Sequence, residues 1–522
     1  MKLKFIIPAL LITAICTESC KKNLEETAYS FLSTNTVFSS ETGLKQATLG
    51  VYDSWRADPI FDPVYQWTLA EAGQQYVTSG MIAAGIITPF YNFNETPSDL
   101  NVTNVWPRYY QTIARANTVI AHAGEAVKDS VVANTYKAEA RFLRAYAYFM
   151  LVRDFGGVPL IKTEINSIAQ SDQIFATQSS VQDVYNFIIQ DLQFSETHLP
   201  AFWTGNDLGR ISAGAAKALL GKVYLTGAGL PLKNPQYYQL AVSKLNEIVG
   251  SSNEAKYNFG LLPKFSDVFS NKNKHNKEIV FSWSNAYSSA NSHNGTLFPF
   301  FLLPTGLAGT TQTGYGLTQA FYNLYENSDT RRDVTVISRY VLQTTGDSII
   351  YDNTIHHYIN KTQGGAIYGD ATIQYVGMAY GKLARDPIGS KPTASSVDLI
   401  QMRFSDVLLC LAEALNETGN SGDAVALVNR VRARAGATQY SVGSQDQVRN
   451  EIRLERRLEL TGEYTTVFDI RRWGTLKNEI AAMDPAQVVN NDLGAYASKF
   501  ELYPIPQAEI DANPNLKQNP GY

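Results

Sequence analysis

Apolar residues recur every three or four positions in two long blocks of this chain, one before residue 251 and one after residue 396. This spacing places them on one face of an α-helix. The stretch between the blocks is rich in Gly, Ser, Asn, Pro and aromatic residues and keeps no sustained period, so it predicts loops with a few short strands. The sequence therefore predicts an all-α dominated fold with a loop-rich, mostly irregular part. In the first block the predicted helices are Trp106–Ala126, Thr135–Asp154, Val181–His198, Ser212–Thr226 and Gln236–Val249.

Two pairs of predicted helices carry small residues where the helices would cross, which is typical of tetratricopeptide units. We expect about four such pairs in the chain. Two unrelated amphipathic helices also satisfy so degenerate a motif, and this alternative stays open. The two pairs have Leu220, Gly221 and Tyr224 followed by Ala241, Leu245 and Ile248, and Leu408, Leu411, Ala412 and Leu415 followed by Ala424, Val428 and Val431.

The composition limits the classes of protein and partner. With 522 residues, 44% of them hydrophobic and 18% charged, the chain has enough apolar material for a large core. The net charge of −4 offers no basic stripe for a phosphate backbone, so we expect no nucleic-acid partner. Aromatic residues make up 11% of the chain, more than a core usually demands, which indicates that some rings form a surface platform for a ligand.

The N-terminus has the pattern of an export signal that ends at a cysteine. Lys2 and Lys4 precede an apolar run from Phe5 to Ile15, which is too short to span a bilayer. A small residue then precedes Cys20, as in bacterial lipoprotein signals. We therefore predict a signal peptide over residues 1–19, a lipid, palmitate included, on Cys20, and a tether over residues 20–40. An ordinary signal peptide with an unrelated cysteine is the alternative.

Motifs for catalysis, metal binding and phosphate binding were searched for in the sequence. It contains no His-Glu-x-x-His, no Gly-x-Ser-x-Gly and no Gly-rich loop that ends in Gly-Lys-Ser/Thr. We predict no catalytic residues, no metal site and no cofactor. The charges between Glu451 and Glu459 stand three and four positions apart, so we expect them to pair with one another along a helix.

Several segments resemble the SusD/RagB family of nutrient-binding outer-membrane lipoproteins. The most specific is the C-terminal Leu502-Tyr503-Pro504-Ile505-Pro506-Gln507, and Arg403-Phe404-Ser405-Asp406, Phe468-Asp469-Ile470-Arg471-Arg472-Trp473 and Phe155-Gly156-Gly157-Val158-Pro159 precede it. The resemblance implies a SusD-like fold with tetratricopeptide-type pairs, anchored on the outside of the outer membrane. It also implies a SusC-like TonB-dependent transporter as partner.

The resemblance and the change of pattern together divide the chain. We predict a helical SusD-like region over residues 41–250, a variable ligand platform over 251–396, and a C-terminal RagB/SusD region over 397–522. Sugar rings stack on aromatic faces while neighbouring polar groups bind their hydroxyls, and family members often place such rings in two stretches. The candidate ligand-binding residues are Trp283, Tyr287, Asn291, Phe298 and Tyr315 in one stretch and Tyr76, Tyr91, Phe93 and Asn94 in the other.

The sequence thus predicts a non-catalytic cell-surface protein that binds an oligosaccharide for import, and that takes part in polysaccharide utilization. Three alternatives remain open. A RagB-like peptide binder would have the same architecture and partner. A glycoside hydrolase would need two carboxylates about 5–10 Å apart in a cleft. A tetratricopeptide scaffold that binds only proteins would have no groove for a small molecule.

Overall fold

The computed structural model of the chain describes residues 34–55, 62–79, 88–286, 302–304, 307, 315–342, 345–354, 357–362, 364–366, 377–382, 395–485 and 493–522. The predictions for Cys20, Tyr287, Asn291 and Phe298 fall outside these residues.

Helices account for most of the described structure, and the strands are short. The helices are α1 Thr34–Val37, α2 Glu41–Ser54, α3 Asp62–Glu71, α4 Thr88–Asn92, α5 Leu100–Ala126, α6 Ser130–Phe155, α7 Ser171–Ile174, α8 Val181–His198, α9 Ala213–Ala228, α10 Gln236–Asn246, α11 Ser251–Tyr257, α12 Phe265–Val268, α13 Gln319–Tyr322, α14 Arg332–Thr335, α15 Phe404–Glu417, α16 Ser421–Ala435, α17 Gln445–Leu460, α18 Thr466–Arg472, α19 Leu476–Ala482 and α20 Gln507–Ala512. The strands are β1 Val77–Ser79, β2 Ile279–Trp283, β3 Tyr315–Leu317, β4 Val336–Ile337, β5 Arg339–Val341, β6 Ser348–Asp352, β7 His357–Asn360, β8 Gly365–Ala366, β9 Ala379–Tyr380 and β10 Leu399–Arg403. The all-α dominated prediction is confirmed.

The long helices pack one on the next in an order that joins the two sequence blocks. From α2 the stack runs through α5, α6, α8, α9 and α10, and α10 then packs on α15, which contacts α16 and α17. The helices of both blocks share one hydrophobic core, which also includes the buried Phe281 and Trp283. The less regular stretch therefore leaves the helical frame after α10 and returns to it at α15.

Both helix pairs with the tetratricopeptide spacing form and pack as pairs. In the first, a Cβ atom built on Gly221 of α9 would lie 2.3 Å from Leu245 Cδ2 of α10. Real Cβ atoms do not approach this closely, so glycine lets the two helices cross here. In the second pair, Leu408, Ala412 and Val428 are fully buried or nearly so between α15 and α16.

Local signals explain which helix boundaries the sequence predicts correctly. Helix α8 has the predicted bounds because Ser180 caps its N-terminus, accepting from the Asp183 amide at 3.1 Å. Helix α6 ends at Phe155, where Gly156 adopts φ +76°, which glycine tolerates. The prediction for α5 was wrong by six residues, because the helix begins at Leu100 and continues through Pro107.

The strands form small antiparallel sheets beside the helices. Strand β1 pairs with β3, β2 with β10 and β4 with β9, while β5 to β8 form a four-stranded sheet in sequence order. The β2–β10 pair ties the loop-rich stretch to the frame, since Trp283 lies opposite Leu399 and Ile279 opposite Arg403. In the described part of the chain, no helix combines the length and the apolar character that a bilayer crossing requires.

Candidate functional site

Trp283, at the end of β2, lies in a cluster of aromatic rings. Its ring stacks on Trp55 with 4.9 Å between centroids and 15° between planes, and it contacts Tyr146 and Phe281 edge-on. Only 3% of Trp283 is exposed. Its indole Nε1 has no hydrogen-bond partner among the described residues, although a buried indole N–H usually finds one. The indole N–H of Trp283 is therefore a hydrogen-bond donor without an acceptor among the described residues.

A cleft of about 350 Å³ opens where Trp283 meets α2 and the turn before α9; we call it the Trp283 cleft. Helix α2 contributes Lys45, Leu49, Tyr52 and Asp53 to one wall, and residues 206–210 form the other. Ser282, Ser284 and His275 complete its lining. Leu49 and Leu208 are 46% and 47% exposed, so the cleft combines apolar rims with polar groups.

Polar groups of the cleft are held by a network that reaches α6. The Arg210 guanidinium donates to Asp207 Oδ1 at 2.9 Å and binds the buried Glu139. Lys45 Nζ donates to the same Asp207 oxygen at 2.8 Å, and the Tyr52 hydroxyl donates to Glu139 Oε2 at 2.6 Å. The hydrogen bond from Lys45, and to a lesser extent the one from Arg210, holds the pKa of Asp207 below its usual range. The walls are therefore fixed before any ligand arrives.

Trp203, in the turn that forms the second wall, packs against this network. Its indole Nε1 donates to the Ile211 carbonyl at 2.7 Å, and the Arg210 guanidinium lies 4.1 Å from its ring centroid. These contacts make Trp203 a support for Arg210.

The two sequence stretches with candidate aromatic residues meet at one small sheet. Strands β1 and β3 are antiparallel, with Val77 opposite Leu317 and Ser79 opposite Tyr315. Tyr315 is fully buried, and its ring contacts Trp67 at 4.4 Å between centroids. The Tyr91 hydroxyl donates to the Val77 carbonyl, and Tyr91 is 2% exposed. The structure brings these residues together in the core, on a different sheet from Trp283.

The remaining described candidates lie around the same sheet. Phe93 is buried against Phe500, with 5.4 Å between centroids. Asn94, the next residue, is exposed. Tyr76 is half-buried, and the Arg457 guanidinium lies 4.8 Å from its ring centroid. In this conformation Asn94 and Tyr76 present surface to a ligand, whereas Tyr91, Phe93 and Tyr315 present almost none.

The charged residues of α17 pair across the fold rather than along their own helix, so the prediction of pairing within the helix was wrong. Glu459 is fully buried and accepts from Arg331 at 2.9 Å, from Arg403 at 2.9 Å and from Arg434 at 2.5 Å. Arg456 donates to Asp406 of α15 at 2.9 Å. Glu455, Arg456, Arg457 and Glu459 all pair with residues of other elements, which is the arrangement of a structural ion network.

Most residues of the Trp283 cleft were missed by the sequence reasoning. Lys45 and Asp53 stand on α2, for which no helix was predicted, and Asn206 and Arg210 were not singled out. The one available signal was the turn Trp203-Thr204-Gly205-Asn206-Asp207, in which an aromatic ring precedes Gly, Asn and Asp. Nothing in the sequence shows that this turn meets β2, because the two are more than seventy positions apart.

Comparison with known families gives two matches that together span almost the whole chain. The model of the SusD family matches residues 236–522, and a second model, described as starch-binding associating with outer membrane, matches residues 22–225. The chain belongs to the SusD family. The resemblance inferred from the C-terminal motifs is confirmed, and the family description includes outer-membrane association.

Three relatives of this SusD-family protein match it over nearly all of their own length. SusD-like protein P2 of Formosa agariphila is 29% identical and aligns over 100% of this chain and 99% of its own. A SusD homolog from Bacteroides thetaiotaomicron of known crystal structure has a TM-score of 0.79 at 24% identity, covering 94% of this chain and 98% of its own. A laminarin-binding SusD-like protein has a TM-score of 0.72 at 26% identity, covering 92% and 100%. The fold is the SusD-like fold.

Proposed function

We propose that this SusD-family protein binds a neutral oligosaccharide at the cell surface, in the Trp283 cleft, without cleaving it. One observation carries the proposal most directly: a preformed cleft of about 350 Å³ brings a buried tryptophan with an unused donor together with exposed polar side chains. Sugar recognition requires both apolar contact and hydrogen bonding. The laminarin-binding relative of the same fold supports a glycan as the ligand.

The charge balance of the cleft favours a neutral glycan. Lys45 and Arg210 both bind Asp207, so these cations are engaged before a ligand enters. Asp53 and Asn206 are exposed on opposite walls and are free to meet sugar hydroxyls. A uronic acid or a sulfated sugar would have to compete with Asp207 for the two cations.

Tyr287, Asn291 and Phe298, the candidate ligand-binding residues that follow Ser284, are also part of the proposed binding function. Ser284 lines the cleft, and Tyr287 follows it by three positions, with Asn291 and Phe298 further along. We propose that Tyr287, Asn291 and Phe298 contribute aromatic and polar contacts to the ligand. Their position in the variable region 251–396 would let related proteins change their ligand while the helical frame is kept.

The two carboxylates in and behind the cleft whose contacts are defined, Asp207 and Glu139, are not placed for glycoside hydrolysis. A hydrolase needs one carboxyl group that holds a proton and another that is ionised. Asp207 is ionised and occupied by Lys45 and Arg210. Burial raises the pKa of Glu139, but this group lies behind Tyr52 and Arg210 and accepts hydrogen bonds from both. We propose that the protein holds its ligand and releases it unchanged.

The export pattern supports binding outside the cell. We propose that residues 1–19 are removed, that Cys20 carries the lipid, and that the frame docks on a SusC-like TonB-dependent transporter that imports the ligand. The match to a family described as associating with the outer membrane supports this arrangement. Cells grown with labelled palmitate should yield a labelled protein, and Cys20→Ala should remove the label; a labelled Cys20→Ala protein would contradict lipidation at this residue.

The binding site is tested by removing its exposed polar groups. Asp53→Ala combined with Asn206→Ala should weaken binding of a laminarin oligosaccharide by about five- to a hundred-fold, since each hydrogen bond contributes about 0.5–1.5 kcal/mol. Isothermal titration calorimetry measures the affinity. The matched control is Asp172→Ala combined with Asn186→Ala, which removes the same two exposed groups away from the cleft. Equal affinities for both double variants would reject the site, and tighter binding of a peptide would favour the RagB-like alternative.

A further inference from the structure

A second cavity, of about 140 Å³, lies between the C-terminal end of α18 and the frame helices, outside the Trp283 cleft. Its walls include Arg153 of α6, Phe468 and Arg471 of α18, Leu230 and Pro231 after α9, and Leu502. We call it the arginine cavity. The Leu230 amide donates to the Arg472 carbonyl at 2.9 Å, which fixes one wall to the end of α18. Pro231 is exposed, so the cavity opens to solvent beside it.

Arg471 is the unusual group in this cavity. Only 7% of it is exposed, its guanidinium lies 3.9 Å from the ring centroid of Tyr503, and its Nε and Nη1 have no hydrogen-bond acceptor among the described residues. The neighbouring Arg472, by contrast, binds Glu413 and Asp469. A buried charge without a partner is costly, and buried arginines are normally paired. The carboxyl groups of Asp154, Glu95 and Glu501 interact electrostatically with Arg471, but none forms a salt bridge with it among the described residues. The Nε and Nη1 donors of Arg471 remain without acceptors, which indicates that an anion completes them.

Arg153 adds a second guanidinium to the same cavity. Its Cζ lies 4.0 Å from the ring centroid of Phe149 and 3.8 Å from that of Phe468, so the cation is held between two aromatic faces. Its Nε donates to the Phe149 carbonyl at 3.2 Å and its Nη2 contacts Met150 Sδ at 2.5 Å; among the described residues it forms no salt bridge. Arg153 thus has ring and carbonyl contacts and an electrostatic interaction with Asp154, without a salt bridge to a carboxylate of the described residues.

One carboxyl group lines the arginine cavity and does not neutralise it. Glu501 accepts from the Tyr496 hydroxyl at 3.0 Å and makes no ion pair with Arg471 within the described residues. Burial raises the pKa of Glu501. Two arginines that form no salt bridge within the described residues therefore face a cavity whose other walls are largely apolar.

We propose that the arginine cavity binds a small organic carboxylate, with the carboxylate on Arg471 and the apolar body against Phe468, Leu230 and Leu502. A guanidinium presents a planar donor set that matches a carboxylate. A volume of about 140 Å³ admits a small organic anion. This site is separate from the Trp283 cleft, and its ligand class differs from a neutral glycan.

The test compares benzoate with benzamide, which has the same ring and shape but no charge. Calorimetric titration of the full chain should give at least tenfold tighter binding of benzoate, and benzoate should raise the melting temperature while benzamide does not. Equal binding of the two compounds, or binding of neither, would overturn the proposal. This comparison needs no variant, so it decides the question even if substitutions at Arg471 impair folding.

The role of Arg471 itself is tested by Arg471→Gln, with Arg453→Gln as the matched control. Arg453 also lies over an aromatic ring, 4.9 Å from the Trp473 centroid, but it does not line the cavity. Arg471→Gln should lose benzoate binding by at least tenfold, and Arg453→Gln should bind as the unaltered chain does. If Arg471→Gln is folded by circular dichroism and binds benzoate normally, Arg471 is not the anchor. Laminarin binding should be unchanged in both variants.

Discussion

Asp154, at the C-terminal end of α6, carries a carboxyl group that is completely buried. Burial raises its pKa to about 7, against the opposing influence of Arg153 and Arg471. Tyr109 donates to Asp154 Oδ2 at 3.2 Å, and Oδ1 has no partner among the described residues. The folded chain therefore keeps a proton on Asp154 between about pH 4 and pH 7, where the unfolded chain has lost it. This contribution to stability is present at low pH and is lost as the pH rises to 7.

Asp154→Asn should remove this pH dependence, because asparagine resembles the protonated carboxyl group and does not titrate. The unaltered chain should lose a few kcal/mol of unfolding free energy from this group between pH 4 and pH 7, at about 1.4 kcal/mol for each tenfold change in the proton equilibrium. Urea denaturation at several pH values measures the difference between the two proteins. A difference that stays constant across this range would show that Asp154 has an ordinary pKa.

The candidate aromatic residues also show that a sequence does not reveal which rings are buried. Trp283 was selected because it follows a short apolar run, and the structure puts its edge at a cleft. Its stacking on Trp55 depends on a contact across more than two hundred positions, which no local pattern reveals. Tyr315 was selected by the same reasoning and is fully buried beside Trp67. Composition identified an excess of aromatic rings, but only packing separates the buried rings from the exposed ones.

At the scale of elements, helix crossings should respond to glycine replacement according to the space around each glycine. In Gly221→Ala the new methyl group would meet Leu245 of α10, so we expect a loss of about 1–3 kcal/mol through overpacking. Gly50→Ala is the matched control, since Gly50 is also inside a helix and nothing lies within 4 Å of its built Cβ. It should gain about 0.5–1 kcal/mol. Chemical denaturation compares them, and equal effects would contradict the close crossing of α9 and α10.

The ion network of α17 gives a second prediction at this scale. Glu459→Ala leaves Arg331, Arg403 and Arg434 short of a buried carboxylate, so it should cost about 3–5 kcal/mol. Asp446→Ala, on the same helix, removes an exposed carboxylate that pairs with Arg449, and it should cost less than about 1 kcal/mol. Thermal unfolding of the two variants separates the cases. A small loss in Glu459→Ala would mean that the network contributes little to stability.

Element boundaries followed local chemistry where that chemistry is in the sequence. Ser180 directly precedes the first residue of α8 and Gly156 directly follows the last residue of α6, because capping depends on neighbouring residues. Helix α5 was predicted to begin at Trp106 from the spacing of its apolar residues, yet it begins at Leu100 and continues through Pro107. Residue spacing along a helix likewise does not predict that Glu459 pairs with three arginines of other elements.

For the whole molecule, the order of short motifs predicted the fold more reliably than any single element did. The C-terminal Leu502–Gln507 segment and the Phe468–Trp473 segment both belong to the matched part of the SusD family, and the helical frame follows from them. The proposed ligand site, the Trp283 cleft, lies at the edge of this helical frame. Helix α2, the turn before α9 and strand β2 come from distant parts of the chain, and only their packing creates the Trp283 cleft.

The central claim is that the protein binds a neutral glycan and leaves it intact. The most direct measurement is isothermal titration calorimetry of the unaltered chain with a laminarin oligosaccharide, followed by analysis of the recovered sugar for new reducing ends. We predict saturable binding with a dissociation constant between about a micromolar and a millimolar, and sugar of unchanged length. Absence of binding to laminarin and to a panel of other neutral glycans, or recovery of shortened sugar, would contradict the account.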